Sequence, residues 1–154
     1  WTKSTGSGLF VTKDEWAKNN TTQFTKIKDI TGDNSLSQTI KNVEPGTYRI
    51  SIDQDGQKDV KSGLYVKYLE QAKELPATTD WDNWETVTTD EFTIEAVQDV
   101  DICIGGGVTN GYWGDIDNIK LQKLYETKSD DTDSSEENKI DCITIFYGYF
   151  SLVY

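Results

Sequence analysis

Period-two alternation, repeated along most of the chain, constrains the fold more than any other feature. In GTYRISID, Tyr48, Ile50 and Ile52 share one face while Arg49 and Ser51 share the other, the pattern of an antiparallel strand with one side against a core. Pro45 and Gly46 form the turn that feeds it. The alternation returns in FTIEA, with Phe92, Ile94 and Ala96 on one face, and in VDICIG, with Val100, Ile102 and Ile104. SLSQTI, at 35 to 40, and SGLYVKYLE supply two further strands. One stretch, KYLEQAKELP, competes as a helix, and Pro76 stops it. One-sided strands separated by Gly, Asn and Asp turns need a second sheet to cover their apolar faces. The expected fold is therefore all-β, a two-sheet antiparallel β-sandwich.

The 154 residues suit one domain with a tail. The sandwich is expected over 1–125. Residues 126–139, acidic and rich in Ser and Thr without an aromatic, cannot offset their ordering entropy by apolar burial and read as a linker. The apolar stretch 140–154 has no role that the sequence assigns, and it is too short for a membrane helix. No methionine opens the chain, which reads as a piece of a longer protein.

Composition then removes whole classes of chemistry. With 15 basic and 27 acidic residues the formal net charge is -12, so like charge disfavours nucleic acid and anionic membranes as partners. Neutral ligands remain. There is no histidine, which excludes His-based triads and two-His metal sites. Two separated cysteines, Cys103 and Cys142, make neither a zinc framework nor a disulfide scaffold. The run GGGVTNG has neither the following helix nor the lysine that a phosphate loop requires, and reads as a strand-to-strand loop. No spacing of the acids specifies a glycosidase pair, and no catalytic residue is assigned.

Tryptophans next to polar groups carry the strongest binding signal. Trp81 sits between Asp80 and Asp82 in a polar turn, whereas Trp84 opens a β-rich run and is expected in the core. An exposed indole flanked by carboxylates and amides suits a sugar, whose C–H face packs on the ring while its hydroxyls bond the polar groups. Tyr112 and Trp113, in the turn before the last long strand, and Asn110 beside them are further candidates. Trp1, Trp16, Tyr65 and Tyr68 read as ordinary packing. In GDIDNIKL, plain alternation puts Asp117 on one face with Ile119 and Leu121. A carboxylate there must be ion-paired, hydrogen-bonded by neighbouring backbone, or bound to a hard cation such as calcium.

Taken in order, GTYRISID, WETVTTDEFTI, VDICIGGGV and GYWGDIDNIKL resemble the signature strands of galactose-binding-like carbohydrate-binding modules, over roughly residues 1 to 124. The WGDIDNIKL ending, with SLSQTI before PGTYRISI, is most similar to the modules appended to endo-1,4-β-galactanases, carbohydrate-binding module family sixty-one. The resemblance implies a jelly-roll sandwich that binds β-1,4-galactan or another galactose-containing glycan without cleaving it. It implies an extracellular or cell-surface bacterial protein with a glycoside hydrolase in cis, and Trp81, Trp113 and Tyr112 as stacking surfaces with Asn110, Asp80 and Asp82 as polar partners. Such modules hold a structural calcium between an acid of a short first strand and the aspartate of the final strand. Asp117 matches the latter, while the chain starts just after the former, so the sandwich is expected without its first strand. The alternative is an adhesive or structural sandwich of a bacterial cell-surface protein.

Overall fold

The computed structural model describes residues 2–3, 7–12, 24–31, 34–107, 111–125 and 141–144, and among them there is no helix. The strands are β1 (Thr2–Lys3), β2 (Ser7–Thr12), β3 (Phe24–Thr31), β4 (Asn34–Val43), β5 (Gly46–Gly56), β6 (Tyr65–Tyr68) and β7 (Gln71–Glu74). They continue with β8 (Glu85–Thr88), β9 (Phe92–Ile94), β10 (Gln98–Gly106), β11 (Trp113–Tyr125) and β12 (Asp141–Thr144). One sheet runs β1-β4-β10-β6-β7; the other runs β2-β3-β11-β5-β8, with β9 also on β5 and β12 also on β11. All the ladders are antiparallel, as a chain of one-sided strands joined by turns requires. The expected two-sheet sandwich is the architecture found.

The alternating residues read from the sequence are the ones buried. Tyr48, Ile50 and Ile52 of β5 face Val100, Ile102 and Ile104 of β10 in one core, joined by Leu36, Ile40, Val66 and Ile116. Phe92 lies between the sheets, 4.7 Å from the Tyr68 ring and 6.2 Å from that of Tyr48. The FTIEA strand is shorter than its alternation: β9 ends at Ile94, and Ala96 is exposed. KYLEQAKELP is not helical, because Leu69, at φ 47°, turns the chain back and pairs β6 with β7. The linker 126–139 lies outside the described residues. From the apolar stretch, β12 pairs with the second half of β11, Tyr125 opposite Asp141.

One departure from alternation reorganises a whole face. The ladder between β11 and β5 slips between Asp117 and Lys120, where Asn118 takes a left-handed φ of 48°. An extra residue in one strand reverses every side chain beyond it. Leu121 thus pairs with Ile50 in the core, while Asp117 pairs with Asp53 on the opposite face. The expected inward Asp117, aligned with Leu121, is overturned by this bulge, and Ile116 is the core residue instead.

Candidate functional site

The segment Gln54–Gln57, at the end of β5, builds the site from inside. Gln54 is buried and its amide donates to the Pro76 carbonyl at 3.3 Å and to Glu85 Oε1 at 3.0 Å, pinning both ends of the excursion between them. Gly56 pairs with Gly114 of β11. A Cβ on either glycine would stand 2.7 or 2.6 Å from the Tyr112 hydroxyl, so the pair is what lets Tyr112 pack there. The Gln57 N–H donates to the Trp113 carbonyl at 3.2 Å, and its own carbonyl accepts the Thr78 hydroxyl at 2.7 Å.

From Thr78 the chain enters the turn that carries Trp81. The Asn83 amide donates to the Thr79 hydroxyl at 2.8 Å, Asp80 accepts the Trp81 N–H at 2.9 Å, and Asp82 takes φ 58°, a conformation aspartate tolerates better than most residues. This brings Trp81 to Trp113, with ring centroids 5.2 Å apart and planes at 63°, an edge-to-face pair. The indoles remain 41% and 39% exposed. Two large aromatics that meet and still face solvent form an apolar ledge, and Asp80 and Asp82 border it, both exposed.

Tyr112 is a correction. It is 2% exposed, in the core cluster, with burial pushing its phenol pKa up and Thr78 as hydrogen-bond partner, so it offers no face to a ligand. Alternation gives the reason: two residues before Gly114, it shares the inward side that Trp113 leaves. Trp84 is half-buried immediately before β8 and is not a core residue. Tyr68 packs in the core as expected, while Tyr65 is exposed on the other sheet. Asn110, Trp1 and Trp16 lie outside the described residues.

Behind the indoles lies a row of acids that linear reading missed. Register places Asp55 opposite Asp115 and Asp53 opposite Asp117, on the face that also carries Trp113. All four are buried. Asp53 accepts the Thr86 hydroxyl and the Asn118 amide, the latter at 2.9 Å. Asp117 Oδ1 accepts the Asn118 N–H at 2.7 Å. Burial, with the nearby Asp82 charge, pushes the Asp55 pKa up to about 6 against the opposing pull of the Asp82 and Asp115 backbone N–H groups. Lys26 of β3 holds the register position opposite Asp115. Calcium takes six to eight oxygens. Among the described residues no three His, Cys, Asp or Glu side chains are grouped to hold a metal ion.

On the other sheet, Lys67, Leu69, Asp99, Asp101 and Cys103 line a hollow of about 350 Å³. Glu70 lines it too, while Asp99 is engaged with Lys41 at 2.7 Å and Asp101 with Thr39.

No family model matches the chain, and no curated protein matches it. Among solved structures it is similar to TmCBM61 in complex with β-1,4-galactotriose, with TM-score 0.61 and 22% identity over 79% of this chain and 86% of that one. The chain has the β-sandwich fold of carbohydrate-binding modules. A family 16 carbohydrate-binding module superposes with TM-score 0.52 and 16% identity, over 74% of this chain and 84% of that one. A family 35 module from Clostridium thermocellum gives 0.52 and 15%, over 77% and 90%. At these identities the likeness is one of fold, and what the site binds has to come from its own residues.

Proposed function

We propose that the chain is a non-catalytic carbohydrate-binding module for a neutral, galactose-containing polysaccharide such as β-1,4-galactan. The observation that carries this is the exposed edge-to-face pair of Trp81 and Trp113, bordered by Asp80 and Asp82. A pyranose has one C–H face for the indoles and hydroxyls for the carboxylates, and, being neutral, it meets no repulsion from a chain of net charge -12. The solved relative that holds β-1,4-galactotriose supports galactose as the sugar. The biological setting we assign is an extracellular bacterial glycoside hydrolase, in which a tethered module of modest affinity raises the local concentration of substrate. A glycan array read with the full chain tests the reading. Galactose-containing glycans should give the signals; an array without them, or measurable cleavage of any glycan, contradicts it.

A further inference from the structure

We infer that Thr78 is the positioning residue of the indole ledge: its buried hydroxyl, bonded to the Gln57 carbonyl, closes a path of hydrogen bonds from the Trp81 turn to the backbone of Trp113. This role rests on the sugar-binding reading and adds to it a residue that touches no sugar. Trp81 and Trp113 come from separate segments of the chain, and an edge-to-face pair with centroids at 5.2 Å needs both of them held. The bonds from Gln54 to Pro76 and Glu85 fasten the two ends of the excursion to β5. Neither reaches the backbone of Trp113. The path through Thr78 does: its hydroxyl donates to the Gln57 carbonyl at 2.7 Å, and the Gln57 N–H donates to the Trp113 carbonyl at 3.2 Å.

The hydroxyl is the link in this path that a side chain supplies. Residues 57–60 form a tight turn, in which the Val60 N–H donates to the Gln57 carbonyl at 3.2 Å and Asp59 takes φ 57°. Thr78 lies along that turn, its carbonyl accepting the Asp59 N–H at 2.8 Å and its N–H donating to the Val60 carbonyl at 3.3 Å. Those backbone bonds grip one side of the turn whichever residue stands at 78. The hydroxyl reaches the other side, to the residue that is itself bonded to Trp113. The Val60 carbonyl, at 3.5 Å, is too distant to compete for its proton. Thr78 is 1% exposed, so water cannot stand in for the bond, and branching at Cβ restricts the rotamer that makes it. Trp81 stands three residues further on, and its placement against Trp113 follows from where Thr78 is held.

The test uses the full chain, first without ligand and then with β-1,4-galactotriose. The coupled indoles should give an exciton couplet in circular dichroism that disappears in Trp81→Phe and in Trp113→Phe, which assigns it to the pair. In Thr78→Val the Gln57 carbonyl keeps the Val60 N–H, so the chain should fold. It should lose most of the couplet and bind galactotriose roughly three- to tenfold more weakly, about the worth of one hydrogen bond. Thr78→Ser, which keeps the hydroxyl, should restore both. Tyr112→Phe should leave both as in the wild type; if it reproduces Thr78→Val, the hydroxyl acts through the phenol and the inference is overturned. A wild type without the couplet, or a couplet unchanged in Thr78→Val, also overturns it. So does a loss that Thr78→Ser leaves unrepaired, the mark of a threonine needed only for packing. Should Thr78→Val not fold, Thr78→Ala against Thr78→Ser makes the same comparison. Loss and rescue of the couplet without galactotriose binding to the wild type supports the positioning role and overturns the sugar reading. Galactotriose binding with a couplet indifferent to Thr78 does the reverse.

Discussion

Asp55 is a residue whose charged form the fold disfavours. Its folded pKa, about 6, lies above the 3.8 of an unperturbed aspartate, so the folded state binds the proton more tightly than the unfolded state. Its contribution to stability is full below the unfolded value and is lost as pH rises through about 6. Thermal unfolding should therefore show a gain of a few degrees between pH 7 and pH 5 attributable to this group, and Asp55→Asn should remove that slope. A slope unchanged by the substitution would assign it to other carboxylates. Gly114 is the second residue whose identity is dictated by its surroundings. An alanine Cβ would stand 2.6 Å from both the Asp55 carbonyl and the Tyr112 hydroxyl, so Gly114→Ala should cost about 1–3 kcal/mol in denaturant unfolding. An unchanged midpoint would mean that Tyr112 is free to move aside.

At the scale of elements, the bulge in β11 decides what the strand presents. Without it, Asp117 would follow Leu121 into the core; with it, one strand supplies Ile116 and Leu121 to the core and Trp113, Asp115 and Asp117 to the opposite face. Asn118 makes the bulge possible, by accepting φ 48° and by donating to Asp53 across the ladder. Asn118→Ala should cost about 1–2 kcal/mol through the left-handed backbone alone, plus the lost bond, whereas Asn118→Gly keeps the backbone and loses only the bond. Equal destabilisation by the two would place the effect in the side chain rather than the turn. The bulge also marks where sequence reading stops. The alternations of β5 and β10 were legible because burial on one face writes itself into every second residue. The slip was not, since an Asp-Asn pair in a strand has the same letters with or without a bulge, and the pairing of Asp55 with Asp115 depends on register. Trp81 and Trp113 were legible as candidates from their polar neighbours; Tyr112, adjacent to Trp113, could be sorted from it only by knowing which side Gly114 opens.

For the molecule as a whole, two sheets close over one core, and the contact of Phe92 with Tyr68 and Tyr48 joins them. Phe92→Ala should destabilise by about 3–5 kcal/mol, read as a lower denaturant midpoint; a loss below 1 kcal/mol would mean the sheets are held elsewhere. We propose that the solvent-facing pair of Trp81 and Trp113 holds sugar, and isothermal titration of the full chain with β-1,4-galactotriose at pH 7.5 decides it. The expected result is saturable binding that weakens about tenfold or more in Trp81→Ala and in Trp113→Ala, while Tyr65→Ala, exposed on the other sheet, binds as the wild type does. Absence of binding, or binding that survives both tryptophan substitutions and falls in Tyr65→Ala, would contradict it.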